Sequence, residues 1–245
     1  MLIVLPPSET KAPGGSLPAG EPLHFPELDP IREELTRDLV ALCTEDPEAA
    51  MQVLGLSEKL RGEVEANQVL RTAPTMPALR RYTGVLYDAL DVSSLSDATT
   101  PHLAIGSALY GLVMGGDPIP HYRLSGSTKL TPGTTMKKRW GSAITEALQR
   151  AEQEHGLVVD LRSGAYQQLG KLKTAVTVRV ESVQPDGSRK VVSHFNKHYK
   201  GLFARAIALS DTTPTSPTEA VDIARAAGYD VSLDDDTLIF RVPEN

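Results

Sequence analysis

The stretch TAVTVRVESVQPDGSRKVVSHF, residues 174–195, predicts the most clearly defined β-structure of the chain. Val176, Val178 and Val180 alternate with other residues, as the side chains of a strand with one buried face do. A Pro-Asp-Gly turn follows, and a second apolar run begins at Val191. The pattern therefore predicts a β-hairpin, which requires two antiparallel strands.

Helical patterns and short apolar runs alternate on either side of this hairpin. The runs at 2–5 and 157–161 predict buried strands, and residues 135–155 carry the longest helical pattern. Further helices are expected at 197–209 and 217–227, before a closing pair of strands. Interleaved helices and strands together with hairpins predict an α/β (mixed α+β) fold, a single domain with a mixed β-sheet flanked by helices.

The composition is that of an ordinary globular protein. The chain has 245 residues, of which 40% are hydrophobic and 23% charged. The lone Cys43 excludes an internal disulfide, and no apolar run approaches the roughly 20 residues that span a bilayer. Pro6-Pro7 ends the first apolar run too early for a signal peptide. We therefore expect a cytoplasmic protein with no membrane partner.

Charge is distributed unevenly along the chain. The net charge is −6, but residues 121–205 hold 15 Lys and Arg against 6 Asp and Glu. One interpretation is that this segment binds an anionic partner. The other is that the basic and acidic parts neutralise each other across the fold.

Several common chemistries lack a signature in the sequence. His194 and His198 are four residues apart, but they fall in a predicted strand and at a predicted helix start, so a shared metal is not expected. Residues 234–236 are three aspartates without the calcium-loop pattern. No nucleophile-elbow or phosphate-loop motif is present. We expect neither a metal site nor a cofactor.

The segment LGLSEKLRGEVEANQVL, within residues 54–70, has roughly the spacing of a helix-hairpin-helix. In that motif the turn amides near a helix N-terminus meet a DNA phosphate. The second glycine of the typical hairpin is replaced by Val64, and Glu63 and Glu65 add negative charge. A plain pair of helices interrupted at Gly62 explains the segment as well.

The stretch SHFNKHYKGLFARAIAL, residues 193–209, gathers Lys197, Lys200 and Arg205 at and beyond the start of a predicted helix. Helix N-termini attract anions, and cations stabilise helices at the opposite end. The position of these cations therefore indicates an anion-binding role, with a solvated face as the alternative. The buried side of the helix is predicted to be Leu202, Ala206 and Leu209.

Motifs distributed along the chain carry a resemblance to a known family. They are MLIVLPPSETK, YTGVLYDAL, GSALYGLVMGGDPIPHYRL, RWGSAITEAL, DLRSGAYQQL, SHFNKHYKGLFARAI and GYDVSLDDDTLIFRV. In this order and at these separations they resemble the YaaA family, described as peroxide-stress response proteins. The resemblance covers almost the full length, so residues 1–245 are expected to be one YaaA-like domain.

The resemblance implies a mixed α/β fold with a positively charged cleft. It also implies DNA binding through this cleft and the helix-hairpin-helix, and a role in limiting iron-dependent oxidative damage. The cleft residues implied by it are Ser8, Thr10, Lys11, Tyr110, Tyr122, Arg123, Lys197, Lys200 and Arg205. The helix-hairpin-helix residues are Lys59, Arg61 and Gly62.

Departures from the family pattern bear on DNA binding. Glu9 stands where many members have lysine, and the segment 113–117 lacks an arginine that is frequent in the family. Two functions therefore remain: a DNA-binding stress protein, or an enzyme acting on a nucleotide, nucleobase or other phosphorylated small molecule. If the protein is an enzyme, the catalytic residues are expected among Ser8, Tyr110, Arg123 and Lys197.

Overall fold

A computed structural model describes residues 1–96, 99–184, 188–191 and 196–243. The strands in these residues are β1 (Leu2–Leu5), β2 (Thr75–Pro77), β3 (Leu103–Ser107), β4 (Gly111–Met114), β5 (Pro118–Pro120), β6 (Val158–Asp160), β7 (Val176–Val183), β8 (Arg189–Val191), β9 (Val231–Asp234) and β10 (Thr237–Pro243). The helices are α1 (Asp29–Glu45), α2 (Pro47–Leu54), α3 (Arg61–Gln68), α4 (Ala78–Arg81), α5 (Val85–Leu90), α6 (Met136–Trp140), α7 (Ala143–His155), α8 (Gly164–Gln167), α9 (Asn196–Ala208) and α10 (Pro217–Ala226).

The main sheet is mixed, with strand order β4-β3-β1-β6-β7-β10-β9 and β8 attached to β7. The pairs between β1, β3, β6, β7 and β10 are parallel, whereas β4, β8 and β9 run antiparallel to their neighbours. The antiparallel β7–β8 pair confirms the hairpin predicted from the sequence, although its turn at 185–187 lies outside the described residues. The α/β fold class with a mixed sheet flanked by helices is confirmed.

Strand β1 is the point at which the order of the sheet reverses. The chain passes from β1 to β3 on one side and later crosses back to β6 on the other, and both neighbours are parallel to β1. In open α/β sheets, ligands bind outside the carboxyl ends of the strands at such a reversal. The loops that follow β1 and β6 therefore lie where a ligand-binding site is expected.

Two predicted helices are each interrupted in the structure. The helical pattern at 135–155 divides into α6 and α7 at Gly141, which has a φ of 54°. The pattern of ALRRYTGVLYDAL divides into α4 and α5, because Tyr82 turns into an extended conformation and pairs with Lys11. The second interruption brings the residues around Tyr82 to the loop after β1.

Helix α9 packs with a different face inward from the predicted one. Its buried side consists of Lys200, Phe203, Ala204 and Ile207, while Leu209, just after its end, is 49% exposed. The prediction that Leu209 is buried is wrong. The helix is positioned by Gly201, where an added Cβ would lie 2.2 Å from the Leu86 carbonyl oxygen of α5. This close approach of two backbones fixes which side chains point into the core.

The charge asymmetry of the sequence is partly neutralised within the fold. Four arginines of the basic segment pair with carboxylates that lie before it in the chain. These pairs are Arg123–Glu9, Arg139–Glu34 and Asp38, Arg150–Glu27, and Arg205–Asp91. For the arginines, the structure therefore favours neutralisation across the fold over a surface left free for a partner.

Candidate functional site

The loop that leaves β1 is fastened to the turn between α4 and α5. The Thr83 amide donates to Ser8 Oγ at 3.2 Å, and Thr83 Oγ1 lies 3.1 Å from Thr10 Oγ1. Ser8 Oγ in turn donates to the Thr10 carbonyl. These bonds hold residues 8–11 along the carboxyl edge of the sheet, at the reversal beside β1.

Lys11 lies at the centre of this loop region. Its Nζ donates to the Ser8 carbonyl oxygen at 3.1 Å and approaches the Glu9 carbonyl oxygen at 3.5 Å. The same Nζ lies 4.3 Å from the centre of the Tyr122 ring and 5.3 Å from that of Tyr82. The side chain is half-buried. The amine is thus held by backbone oxygens and aromatic faces.

Arg123 and Lys11 share one hydrogen-bond acceptor, the carbonyl oxygen of Glu9. Arg123 Nη1 donates to the Glu9 carbonyl oxygen at 3.2 Å, the oxygen that Lys11 Nζ also approaches. Arg123 Nη2 donates to the Glu9 carboxylate at 2.9 Å. The Glu9 carboxylate is 76% exposed, whereas the Arg123 side chain is largely buried. Lys11 and Arg123 therefore converge at Glu9, and the Glu63 carboxylate also acts on the Lys11 charge.

Helix α3 fixes the position of Arg123 through hydrogen bonds to its backbone. The fully buried Asn67 forms two hydrogen bonds with its backbone: Asn67 Nδ2 donates to the Arg123 carbonyl, and the Arg123 amide donates to Asn67 Oδ1, both at 2.9 Å. One turn earlier, Glu63 Oε2 lies 2.9 Å from His121 Nε2. Glu63, whose negative charge counts against a DNA-binding helix-hairpin-helix, thus lies against His121 and acts on the charge of Lys11.

A buried chain of hydroxyl groups lies beneath the cations. Ser107 Oγ accepts from the amides of Leu109 and Tyr110, so its own proton is left for Tyr122 Oη at 2.7 Å. Tyr122 Oη lies 2.7 Å from Tyr82 Oη. Burial raises the pKa of both tyrosines, which therefore stay neutral, and the Lys11 amine packs against their rings.

The pKa of Lys11 is lowered to about 7. Removal from water is the largest cause, and the neighbouring Arg123 charge adds to it, while Glu63 and Glu9 act in the opposite direction. The pKa of Glu63 is lowered, chiefly by its hydrogen bond with His121. At neutral pH, Lys11 therefore exchanges between the charged and the neutral amine.

A cavity of about 320 Å³ adjoins the loop after β1. Its wall includes Ser8 and Thr10 from the loop, Gly84 from the turn before α5, and Lys197 from the first turn of α9. Lys197 is exposed, and among the described residues it has no hydrogen-bond or ion-pair partner. The structure thus brings together Ser8, Thr10 and Lys197 in the cavity wall. Lys11 and Arg123 contact Glu9, which also lines the cavity, and Tyr122 packs under Lys11.

Lys200 and Arg205 are not free to face an anion in this structure. Lys200 is buried, and its Nζ donates to the Leu161 carbonyl just after β6 at 2.9 Å, which also docks α9 against that strand end. Arg205 Nη1 donates to the carbonyls of Leu90 and Asp91 and to Ser94 Oγ, at the C-terminal end of α5. Both cations bond to backbone carbonyls, and of the three predicted cations of this stretch only Lys197 lines the cavity described above.

Tyr110 is buried beside the hydroxyl chain and packs edge-on against Tyr122, with ring centres 5.3 Å apart. Its carbonyl oxygen accepts from the buried Arg32 guanidinium at 2.9 Å. The side chain therefore packs under the site rather than lining the cavity described above.

The predicted helix-hairpin-helix residues lie away from these cations. Gly62 lies inside α3, so the predicted break at this glycine is wrong. Arg61 pairs with Glu58 and Glu48, and Lys59 is exposed in the short 3-10 turn before α3. The left-handed residue of this segment is Gly55, just after α2. Gly62 is the second residue of α3, and the same helix places Glu63 against His121 and Asn67 against the Arg123 backbone.

The sequence did not single out Asn67, Tyr82 or His121, and it marked Glu63 only as a charge unfavourable to DNA binding. Tyr82 lies within the quoted motif YTGVLYDAL, and His121 directly precedes Tyr122 in another quoted motif, so the family motifs could have identified both as candidates. Glu63 and Asn67 are spaced four apart on one face of α3, which no motif marked. In the described part of the chain, His, Cys, Asp and Glu form no group of three or more that could hold a metal ion. None of the helices described there has the length and apolar character that crossing a membrane requires.

Fold and site together define a mixed α/β protein in which Lys11 and Arg123 converge on one backbone oxygen at the reversal point of its sheet. A family profile described as Peroxide stress protein YaaA matches residues 1–234. The chain belongs to this family. It is 58% identical to a UPF0246 protein of Corynebacterium efficiens, with 96% of each chain covered. It is 57% identical to a Corynebacterium glutamicum relative, over 93% of each, and 44% identical to one from Streptomyces coelicolor, over 96% of this chain and 93% of the relative.

Proposed function

We propose that this peroxide-stress family member is an enzyme that acts on a small phosphorylated molecule, a nucleotide or sugar phosphate, bound at the carboxyl edge of β1. The observation that carries the proposal is the convergence of Lys11 and Arg123 on the Glu9 carbonyl oxygen. Two cations held by backbone bonds beside a concave surface suit a compact anion. A reactive group with a pKa near neutrality next to them suits chemistry rather than binding alone.

In this proposal, each residue has a separate task. Arg123 binds the phosphate in exchange for the Glu9 carboxylate, and Lys197 adds a second positive charge at the cavity rim. Ser8 and Thr10 orient the rest of the ligand through their hydroxyl groups. Tyr122 and Tyr82 keep the Lys11 amine in a fixed position.

A thermal-shift screen with nucleotides, sugar phosphates and nucleobases tests the proposal. We expect a phosphorylated compound to raise the melting temperature of the wild-type protein and to lose most of this effect in Arg123→Gln. Lys137→Ala, which removes an exposed lysine from α6, is the matched control and should keep the full shift. If no compound stabilises the wild type, or if Arg123→Gln responds like Lys137→Ala, the proposal fails.

DNA binding, as the family resemblance implies, is a second candidate with one supporting observation. Among the described residues, the ion pairs use arginine or histidine, and the exposed lysines of the basic segment pair with no carboxylate. Such lysines are available to bind the phosphates of a nucleic acid. In this second candidate function, the bound protein limits iron-dependent oxidative damage to the DNA, as the family resemblance implies. Titration of labelled duplex DNA at two salt concentrations tests this, because binding through phosphates weakens steeply with salt. No binding at low salt would exclude it.

A further inference from the structure

The amine of Lys11 differs from that of the buried Lys200, which also donates to a backbone carbonyl, because a second cation, Arg123, lies beside it. Among the described residues, no carboxylate lies within ion-pair distance of its Nζ, which instead contacts two carbonyl oxygens and two ring faces. The charged side chains that shift the pKa of Lys11 are Arg123 and Arg81, which lower it, and Glu63 and Glu9, which raise it. Lysines that act as nucleophiles are activated in two ways, by removal from water and by a neighbouring cation. Lys11 has both.

We propose that Lys11 is a nucleophile that captures the carbonyl group of a phosphorylated aldehyde or ketone as an imine. The inference rests on the proposed function, in that Arg123 holds the phosphate of the same molecule. Arg123 and Lys11 share the Glu9 oxygen, so a phosphate on the guanidinium brings the neighbouring carbons of a small ligand toward the amine. Proximity of this kind is what makes a bound amine react faster than a free one.

The reaction needs no oxidant, reductant or metal. The lone pair of the neutral Lys11 nitrogen forms a bond to the carbonyl carbon as the carbon–oxygen π bond breaks; the nitrogen gives up one proton, and the oxygen takes up one and becomes a hydroxyl group. The remaining carbon–oxygen bond then breaks as the hydroxyl takes up a second proton and leaves as water, the nitrogen lone pair forms the carbon–nitrogen double bond, and the nitrogen gives up its second proton. Glu63, whose carboxylate is held 2.9 Å from His121 Nε2, is the acidic side chain that acts most strongly on the Lys11 charge, and in this proposal it relays these protons.

The test is reductive trapping with a matched pair of ligands. The protein is mixed at pH 7 with glyceraldehyde 3-phosphate, reduced with borohydride, and digested for mass spectrometry. Glycerol 3-phosphate, which has the phosphate but no carbonyl, is used in a parallel thermal-shift titration. At this pH about half of Lys11 but fewer than about 1 in 1,000 ordinary lysines are neutral. We therefore expect Lys11 to be labelled at least about tenfold faster than the exposed Lys137 and Lys138.

The variants separate this inference from the proposed function. Lys11→Arg keeps the positive charge, so glycerol 3-phosphate should still bind, but trapping at position 11 is lost. Arg123→Gln should weaken both binding and trapping. If glycerol 3-phosphate stabilises the wild type while Lys11 is labelled no faster than Lys137, the imine is excluded and the proposed function stands. If glycerol 3-phosphate and every other phosphorylated compound fail to bind and Lys11 is not labelled, both are excluded.

An abasic deoxyribose in DNA presents the same chemistry, an aldehyde beside a phosphate. A second arm of the experiment therefore uses a labelled duplex with one abasic site, and a duplex with the reduced tetrahydrofuran analogue as its control. Borohydride-dependent crosslinking to the abasic duplex through Lys11, stronger than the labelling by glyceraldehyde 3-phosphate, would assign the nucleic acid as the source of the carbonyl. Labelling by the sugar phosphate alone would assign the small molecule.

Discussion

The Nζ of Lys11 and the guanidinium of Arg123 contact the same backbone oxygen, that of Glu9, at 3.5 and 3.2 Å. Burial raises the free energy of the protonated lysine, and the neighbouring Arg123 charge raises it further. The fold maintains the arrangement because Asn67 holds the Arg123 backbone and the α4–α5 turn holds the loop of Lys11. The stability of the protein and the chemistry of the site are therefore linked through this pair.

Replacement of Lys11 by methionine should change how stability depends on pH. The pKa of Lys11 is about 7 in the folded protein and near its ordinary 10.5 in the unfolded chain. Between these values the unfolded state binds more protons, so the free energy of unfolding of the wild type rises with pH. Relative to Lys11→Met, the wild type should gain at most about 1.4 kcal/mol per pH unit in this window.

Urea unfolding of both proteins at several values between pH 7 and pH 10 measures this difference. Lys11→Met should be the more stable protein at pH 7, and its advantage should shrink toward pH 10. A constant difference across the range would mean that Lys11 titrates normally in the folded protein.

A pair of glycine substitutions distinguishes helix packing from a helix-hairpin-helix turn. At Gly62 an added Cβ meets nothing within 4 Å, so Gly62→Ala should stabilise α3 by about 0.5–1 kcal/mol. At Gly201 the Cβ would lie 2.2 Å from the Leu86 carbonyl and 2.8 Å from Ala89 Cβ, so Gly201→Ala should cost about 1–3 kcal/mol. Chemical denaturation checks both values. Loss of stability in Gly62→Ala would show that this glycine has a turn-like role.

Two cations of α9 should have opposite phenotypes. Arg205 caps the carbonyls that end α5, so Arg205→Ala should lower stability by about 1 kcal/mol and leave ligand affinity unchanged. Lys197 lines the cavity and is exposed, so Lys197→Ala should leave stability unchanged and weaken the binding of a phosphorylated ligand. Thermal melts with and without the ligand measure both effects. Equal loss of affinity in the two variants would contradict the placement of Arg205.

Asn67 should act as a positioning residue for Arg123. Asn67→Ala leaves the amide and the carbonyl of Arg123 without their partners, which costs about 1–3 kcal/mol for each buried group. The same change should weaken ligand affinity although the neutral Asn67 side chain contacts only the backbone of Arg123 and not its guanidinium. Gln68→Ala, one residue further along α3, removes a bond to the Cys43 carbonyl and is the control that should spare affinity. Similar affinities in the two variants would separate α3 from the site.

The buried pair Asp160–Arg162 should be essential for the carboxyl edge of β6. Arg162 donates to both carboxylate oxygens and to the Gly170 carbonyl, and both side chains are at most 3% exposed. Arg162→Met leaves an unpaired buried carboxylate and should cost about 3–5 kcal/mol. The double variant Asp160→Leu, Arg162→Met removes both charges and should recover part of this loss. A double variant less stable than the single one would contradict this explanation.

Local patterns predicted much of the fold. The alternating valines and the Pro-Asp-Gly turn at 174–195 predicted the β7–β8 hairpin, because strand periodicity and turn chemistry can be read from neighbouring residues. The inward face of α9 was not predictable in this way. A stripe that contains Leu202 and Leu209 is more apolar than one that contains Lys200, and the close contact of Gly201 with α5 decides between them.

The site was predictable in part. Lys11 and Arg123 were found because each lies in a motif of the family resemblance, but nothing in the sequence brings Glu9 and Arg123, 114 residues apart, to one oxygen. Glu63 was interpreted as a charge unfavourable to DNA, whereas the fold places it against His121. Asn67 has no local signature, because its hydrogen bonds are made to a backbone distant in the chain.

The titration of the Lys11 amine by NMR, in protein labelled with ¹⁵N-lysine and assigned with Lys11→Arg, tests the proposal most directly. The structure predicts a midpoint near pH 7, which should rise when a phosphorylated ligand binds, because a nearby anion favours the charged amine. A midpoint near 10.5 that does not respond to any phosphorylated ligand would contradict both the electrostatics of the cleft and its role in binding.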